Sequence, residues 1–382
     1  MTRRTAAASL AALAATAAGC FPDYAIGNGS DGGGDGESGS SSGSGGSSGS
    51  SSGGPDGGSD GAGDATTETG DDAMMDAATD VQGDRSDGSY TLDAGDGAIL
   101  SGMVAVDGGA FTFPVYVGGG DITAYANLDY QVAIDRTEVT VGEFTAFVQA
   151  GLPLPCGDGG VCSLDPSGPY ASSMLWDPSW NGMAQSDAYV NGSATCTSDL
   201  GSPIITYNTN GSYPITCVPW QQALAYCAWL GKRLPTDTEW RFFATGAGTR
   251  PTYPWGSTSP DCSYATGDFD GGRCGFPVVV GHANLGVSKD GVYDLVGSLS
   301  EWLWDQCSAS GNYGYPFDAG TDYLGPTGAA GGGSADRLWI PSDWSDQASS
   351  YFGSDRSGAG SADTTVGYDN CGFRCALTTR YP

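Results

Sequence analysis

Cysteine and histidine are the residues of this sequence best suited to catalysis or metal binding. Their numbers limit the kinds of site that the chain can form. The chain has eleven cysteines and one histidine, His282. No two cysteines have C-x-x-C spacing, so a Cys/His zinc site has little support. Ser-His-Asp or Cys-His catalysis would need His282, which follows Gly281 and which we interpret as a loop residue. If Cys20 is set aside, ten cysteines remain, and an even number in an exported chain favours disulfides.

The charge balance excludes one class of partner. The 382 residues include 44 acidic and 14 basic side chains, which gives a net charge of -30. Such a chain is not a general polyanion binder, so nucleic acid is not an expected partner. The acidic residues concentrate in residues 21–100, where Arg85 is the one basic residue.

The amino terminus resembles a bacterial export signal. Arg3 and Arg4 precede an Ala/Leu run that ends at Gly19 and Cys20, and the small residues before Cys20 resemble a lipoprotein cleavage box. Residues 1–20 are therefore expected to direct export and lipid attachment at Cys20, placing the protein at the bacterial outer membrane or cell surface. The alternative is a cleaved signal with an incidental cysteine, which would leave the protein periplasmic or secreted. The apolar run is too short for a transmembrane helix.

Composition divides the rest of the chain into two parts. Residues 21–101 are rich in Gly, Ser and Asp and poor in large apolar residues, so they are expected to form a disordered acidic tether. Residues 102–382 hold nearly all the aromatic residues and are expected to form one folded domain. We expect this domain to be a monomer.

Local patterns within 102–382 predict the elements that must position any site. Short strands are predicted at Met103–Val106 and Phe111–Val117 from their apolar patterns. Capping-box spacing, Thr140 with Glu143 and Thr236 with Glu239, marks two helix starts. A third helix is predicted from Pro219 to Leu230, with apolar residues on one face. Residues 152–213, rich in Gly, Pro, Ser and Asn, are expected to form a long loop region stapled by disulfides.

Several longer motifs follow one another along the chain. They are Glu138-Val139-Thr140, Phe144-x-x-Phe147, Trp220-x-x-Ala223-x-x-Tyr226-Cys227-x-Trp229-x-Gly231-Lys232-Arg233-Leu234-Pro235-Thr236-x-x-Glu239-Trp240, Tyr253-Pro254-Trp255-Gly256, Gly291-Val292-Tyr293-Asp294-Leu295-Val296-Gly297, Glu301-Trp302, Gly332-Gly333-Ser334 and Gly372-Phe373-Arg374-Cys375. Together they resemble the formylglycine-generating (sulfatase-modifying factor) family over roughly residues 103–377. The resemblance implies a compact mixed α/β fold related to C-type lectins, with little regular secondary structure.

Most motif residues are interpreted as having a structural role. The tryptophans, Trp220, Trp240, Trp255 and Trp302, offer large apolar surfaces whose burial stabilises a fold. Arg233 and Arg374 are expected to form buried pairs with carboxylates such as Glu239 or Glu301, rather than to contact substrate.

The resemblance also implies a chemistry: oxidation of a substrate cysteine to formylglycine, with copper held by two closely spaced cysteines that follow Gly332-Gly333-Ser334. Thiolates suit Cu(I), but the interval from Ala335 to Asn370 contains no cysteine. Copper and catalytic residues are therefore not expected, and a non-haem iron site would need more histidines than His282. We predict a non-catalytic binding module.

Two other functions stay open. An oxidase could keep its activity through relocated cysteines, for example Cys307 with Cys371. Alternatively, the protein could be a structural component of the envelope or spore coat. For the binding module, the partner could be a peptide, protein or glycan. Aromatic residues that follow Glu301 could line its groove or could simply fill the core, and they are Tyr313, Tyr315, Trp339, Trp344, Tyr351 and Phe352.

Finally, the resemblance implies a disulfide and a metal site. The motif positions of Cys227 and Cys375 resemble a structural bridge. The remaining pairs suggested are Cys156–Cys162, Cys262–Cys274, Cys196–Cys217 and Cys307–Cys371. A structural calcium ion is expected at Asp294 and Glu301, with the carbonyls of Gly297 and Leu299, since Ca²⁺ prefers oxygen ligands. The alternative is that Glu301 pairs with an arginine.

Overall fold

The structure, a computed structural model, describes residues 100–117, 120–157, 159–186, 196, 211–250, 252–269, 272–274, 278–306, 318–324, 337–340, 361–362 and 367–381. The predicted signal lies outside these residues, and so does the predicted tether apart from Leu100 and Ser101. Both therefore stay predictions. Across the part of the chain described, no helix is long and apolar enough to cross a bilayer.

Short strands form most of the regular structure. They are β1 (Met103–Asp107), β2 (Ala110–Val117), β3 (Gly120–Asn127), β4 (Gln131–Asp135), β5 (Asp268–Phe269), β6 (Gly272–Arg273), β7 (Ser300–Gln306), β8 (Asp318–Thr321), β9 (Arg337–Ile340), β10 (Ser361–Ala362), β11 (Cys371–Gly372) and β12 (Ala376–Arg380). The sheets have the orders β1-β4-β12, β10-β9-β7-β11, β2-β3-β8 and β5-β6. The two predicted strands are confirmed as β1 and β2, whereas β3 was not predicted.

One glycine allows two of these sheets to approach each other. A Cβ on Gly108, between β1 and β2, would lie 2.4 Å from the carbonyl oxygens of both Leu128 and Tyr130. The Gly108 amide donates instead to the Tyr130 carbonyl, at 3.0 Å. No larger residue fits without moving the backbone.

Two of the helices in the described residues begin where the capping boxes predict, a third begins next to the predicted Pro219, and one short helix was not predicted. In chain order they are α1 (Val141–Gln149), α2 (Asn181–Ala184), α3 (Trp220–Trp229) and α4 (Asp237–Ala244), with a 3₁₀ turn at Pro178–Trp180 before α2. Both boxes before α1 and α4 are complete, since each threonine accepts from the glutamate amide and each glutamate accepts from the threonine amide. Every residue of α3 is buried. The prediction that α3 has one apolar face was therefore incomplete, because this helix passes through the core.

Indole rings fill the main core, and their N–H groups are satisfied there. Trp220 donates to the Leu303 carbonyl at 2.8 Å, Trp302 to the Val218 carbonyl at 2.9 Å, and Trp240 to Glu301 at 3.0 Å. Burial without loss of hydrogen bonds makes these rings strongly stabilising. Trp255 differs from the prediction. It is only partly buried and belongs to a small satellite cluster, stacked on Tyr253.

The segment predicted as a long stapled loop is more embedded than expected. Residues 187–195 and 197–210 lie outside the described part, but Tyr170, Met174 and Trp176 are almost fully buried. Backbone bonds hold them in place, including Leu164 to the Met174 carbonyl at 2.8 Å. Periodicity failed here because a loop can bury side chains without a repeating pattern.

Four disulfides lie within the described residues, and all four were predicted. They are Cys156–Cys162, Cys196–Cys217, Cys227–Cys375 and Cys262–Cys274. Cys227 and Cys375, with Cα atoms 5.6 Å apart, join α3 to the residue before β12 across 148 positions of sequence. Cys307 lies outside the described residues, so its pairing with Cys371 stays a prediction. The domain is a mixed α/β fold with little regular secondary structure, as expected.

Candidate binding site

A pocket of about 440 Å³ opens between residues 161–180 and the strands β7 and β9. Its walls are mainly apolar and aromatic, and the lining residues are Val161, Ser173, Leu175, Trp176, Asp177, Pro178, Trp180, Trp304, Gln306, Leu324 and Arg337. The size and the mixture of apolar walls with a few polar groups are typical of small-ligand pockets.

Local sequence explains how the first wall is built. Asp177 caps the Pro178–Trp180 turn by accepting from the Ser179 amide at 2.8 Å. Asn181 then accepts from the Trp176 indole at 2.8 Å and donates to the Gly159 carbonyl at 2.8 Å. Trp176 and Trp180 are thereby held edge to face, with ring centroids 5.5 Å apart. These hydrogen bonds hold both rings in place although the wall lies on a loop.

Arg337, at the start of β9, has a guanidinium group in contact with three indole rings. Its guanidinium is 4.0 Å from the centroid of Trp220, 5.0 Å from Trp304 and 5.7 Å from Trp180, within cation–π range. The side chain is 4% exposed and donates one hydrogen bond to the Trp304 carbonyl. Burial lowers the pKa of Arg337 to about 9, an effect that Asp305 opposes. The pocket therefore contains a buried cation at neutral pH.

A second polar cluster contains the residues predicted to bind calcium. Both oxygens of Glu301 accept from Arg374, at 2.7 and 2.6 Å, so the alternative pairing with an arginine is present. The Asp294 carboxylate accepts from the Gly281 amide. Glu138 is buried and accepts from the Ser298 hydroxyl at 2.8 Å and the Leu299 amide at 3.0 Å.

Burial and mutual repulsion oppose ionisation of two carboxyl groups in this cluster. Burial raises the pKa of Asp294 to about 6, and repulsion from Glu301 adds to the rise. Burial also raises the pKa of Glu138, as do the charges of Asp294 and Glu301. The surroundings thus favour the protonated forms of Glu138 and Asp294, whereas Glu301 is paired with the guanidinium of Arg374.

The two backbone ligands expected for calcium have different surroundings. Gly297 bridges to Thr266, and a Cβ at Gly297 would lie 2.1 Å from the Thr266 oxygen, so glycine is required there. The Leu299 amide donates to Glu138 at 3.0 Å. Among the described residues, no three His, Cys, Asp or Glu side chains are grouped to hold a metal. A calcium ion would therefore depend on these carbonyls, and the site stays a prediction.

Arg233, the other arginine expected to form a buried ion pair, has a structural role. Arg233 donates to both oxygens of Glu239, at 2.8 and 2.6 Å, and lies 3.3 Å from Asp165. Burial alone would raise the pKa of Glu239, but the Arg233 charge and its hydrogen bonds outweigh burial and lower it. Tyr130 also donates to Glu239, at 2.6 Å. This network joins α4 to the sheet core, as expected from the sequence.

Few of the aromatic residues predicted to line a groove fall in the described part. Tyr313, Tyr315, Trp344, Tyr351 and Phe352 lie outside it. Trp339 is partly buried against Trp302 and Tyr368, with centroids 6.1 and 5.2 Å away. The groove prediction therefore stays untested.

Sequence reasoning did not single out the four residues that define the pocket, Trp176, Trp180, Trp304 and Arg337. The one available signal was the pair of tryptophans around the turn-forming Asp177-Pro178-Ser179. His282 is an exposed loop residue, as interpreted.

The fold and pocket define a disulfide-stapled mixed α/β domain, and comparison with known proteins identifies its family. Residues 95–379 match the sulfatase-modifying factor enzyme 1-like domain family, described as FGE-sulfatase. Because this match covers most of the chain, the protein belongs to that family.

Individual relatives have different functional names. A Bos taurus protein named inactive C-alpha-formylglycine-generating enzyme 2 is 40% identical over 104 residues, 26% of this chain and 35% of that protein. A Thermomonospora curvata formylglycine-generating enzyme is 29% identical over 235 residues, 55% of this chain and 73% of that protein. The chain thus spans about a third of the bovine relative. A solved structure titled PvdO from Pseudomonas aeruginosa aligns at 21% identity and TM-score 0.44, covering 73% of this chain and 94% of that one.

Proposed function

We propose that this protein is a non-catalytic binding module of the sulfatase-modifying factor family. The distribution of its cysteines carries the proposal. Eight of the eleven form the four described disulfides, and the other three are Cys20, Cys307 and Cys371. No cysteine lies between Ala335 and Asn370, where the family resemblance implies the copper-binding pair.

Replacement of that pair by other residue types would not preserve copper chemistry. Cu(I) prefers thiolate ligands, and neutral hydroxyl oxygens do not stabilise this ion. A relocated pair would have to use Cys307 and Cys371, and Cys371 is fully buried in β11, beside Ser300 of β7. The name of the bovine relative describes an inactive protein, which supports the idea that this domain can exist without oxidase activity.

The proposal includes a location and a structural ion. The module is exported, anchored by lipid at Cys20 and displayed at the outer membrane or cell surface on the acidic tether 21–101. Calcium binds at Asp294 and Glu301 with the carbonyls of Gly297 and Leu299, since these are oxygen ligands of the kind that Ca²⁺ prefers. The module acts as a monomer and binds a peptide, protein or glycan.

Activity with a sulfatase-type cysteine peptide tests the proposal directly. Purified full-length protein is loaded with copper, and peptide mass and oxygen consumption are followed against a copper-only control. We expect no aldehyde above the control. Turnover above the control, lost in Cys307→Ser or Cys371→Ser, would overturn the proposal and favour an oxidase with relocated cysteines. Thiol counting on the folded protein, with and without reductant, adds an independent reading of which cysteines are oxidised.

A further inference from the structure

We propose that the pocket above Arg337 binds a single carboxylate carried on an apolar body, so that the guanidinium receives the carboxylate and the indoles pack against the body. This inference rests on the proposed binding function and specifies the chemistry of the ligand. It concerns the pocket of Val161, Leu175, Trp176, Trp180, Trp304 and Arg337.

The first step is a contrast among the buried arginines. Arg233, Arg241 and Arg374 each form an ion pair with a carboxylate, at 2.6 to 2.9 Å. Among the described residues, no carboxylate is within ion-pair distance of Arg337. An unpaired buried charge is costly, and proteins seldom leave one. Arg337 is therefore the buried arginine that lacks an anion from the described part of its own chain.

The second step concerns hydrogen bonds. A guanidinium has five N–H donors in a planar fork, and the bond from Arg337 to the Trp304 carbonyl uses one nitrogen. Asp305 lies near enough to raise the pKa of Arg337. However, its Oδ2 accepts a hydrogen bond from the Asp237 amide at 2.8 Å. Remaining donors on Arg337 suit a carboxylate, which the fork can bind through two parallel bonds.

The third step concerns the body of the ligand. Val161 and Leu175 at the rim are 65% and 39% exposed, and Trp176, Trp180 and Trp304 are among the residues that line the wall. A space of about 440 Å³ suits a small molecule or the last residue of a peptide. Burial of an apolar group against these walls would supply affinity that an exposed ion pair lacks.

The fourth step limits the charge of the ligand. Residues 102–382 carry more acidic than basic residues, and Asp177 also lines the pocket. A polyanion would be repelled by this field, whereas one carboxylate placed directly on Arg337 would gain more than it loses. An apolar carboxyl-terminal residue of a peptide has this chemistry, whereas a uronic acid carries the carboxylate on a polar body.

Calorimetric titration of the full chain at neutral pH separates these cases. The probes are N-acetyl-phenylalanine, its uncharged amide and glucuronate. We expect the acid to bind about tenfold or more tightly than the amide, because the amide cannot form the charge-assisted pair. Binding of N-acetyl-phenylalanine but not glucuronate would support the carboxylate on an apolar body, and binding of glucuronate as tightly as N-acetyl-phenylalanine would overturn it. Equal binding of acid and amide, or no heat from any probe at millimolar concentration, would overturn the inference.

Variants test whether Arg337 is responsible. Arg337→Lys keeps the charge but loses the fork, and we expect it to bind the acid several-fold more weakly. Since this buried position could affect folding, Leu175→Glu is compared with Leu175→Gln, both at the exposed rim. The glutamate should weaken binding of the acid and leave the amide unchanged. Leu285→Glu, at an exposed apolar residue outside the pocket, is the matched control, and an equal loss there would refute the assignment.

Failure of this inference is distinguishable from failure of the proposed function. If the protein converts the cysteine peptide, the non-catalytic proposal fails whatever the carboxylate probes do. If it converts no peptide and the acid binds no better than the amide, the binding module stands and only the carboxylate inference falls.

Discussion

Removal of the Cys227–Cys375 bridge should destabilise the domain more than removal of any shorter bridge. The bridge closes 148 positions of sequence, whereas Cys262–Cys274 closes 12. In the chain-entropy account, closure of the longer loop stabilises by about 5 kcal/mol and closure of the shorter one by about 3 kcal/mol. Cys227 and Cys375 are also fully buried, so substitution by alanine adds the loss of packed sulfur atoms.

The assay compares thermal melting of two double-alanine variants, one for each bridge. For a domain of about 280 residues, the entropy of unfolding is about 0.6 kcal/mol/K, so the expected losses are about 8 °C for Cys227–Cys375 and about 5 °C for Cys262–Cys274. Guanidinium unfolding with shared baselines gives the free energies directly. An equal or smaller loss for the longer bridge would refute the loop-entropy reasoning and place the stabilisation in native contacts.

Four further predictions concern the buried carboxylates, the calcium site and the amino terminus. Glu301→Gln leaves Arg374 unpaired and should cost about 3 to 5 kcal/mol, whereas Glu301→Gln combined with Arg374→Met should cost less than the sum of the single changes, as urea unfolding would reveal. The raised pKa of Asp294, about 6, lies above its unfolded value, so the folded state holds the extra proton and the free energy of unfolding should fall as pH rises from about 4 to about 6. Asp294→Asn should flatten that fall, and a curve of unchanged slope would contradict the assignment. At neutral pH in the wild type, calcium should raise the melting temperature relative to chelator, and indifference to chelation would count against the calcium site. Cys20→Ser should abolish labelling by a palmitate analogue and release the protein from the membrane fraction, and retained label would exclude Cys20 as the lipidation site.

Local signals in the sequence predicted the elements that local interactions fix. The capping boxes of Thr140 with Glu143 and Thr236 with Glu239 each involve neighbours three positions apart, so the pattern was sufficient. Strand β3 was not predicted because its buried residues Ala124 and Ala126 are small, and such residues give a weak strand signal. Family motifs, rather than periodicity, predicted the pairing of Cys227 with Cys375.

The pocket could not be predicted in the same way. Trp180, Trp220, Trp304 and Arg337 are far apart in sequence and come together only because α3, β7 and β9 pack on one another. No spacing rule links such residues, and each alone is also consistent with an ordinary core position. The ion pair of Arg374 with Glu301 could be predicted because both residues lie in family motifs.

The position of β12 also sets an order for assembly of the molecule. β4 lies between β1 and β12, so one side of β4 can pair early, while its other side waits until residues 376–380 have been synthesised. Cys227 must likewise wait for Cys375, although Cys217 and Cys262 emerge much sooner. Any disulfide formed with those nearer cysteines would have to be exchanged before the sheet could close. The Cys227–Cys375 bridge is therefore expected to form late, and we expect a disulfide isomerase to accelerate folding of this domain.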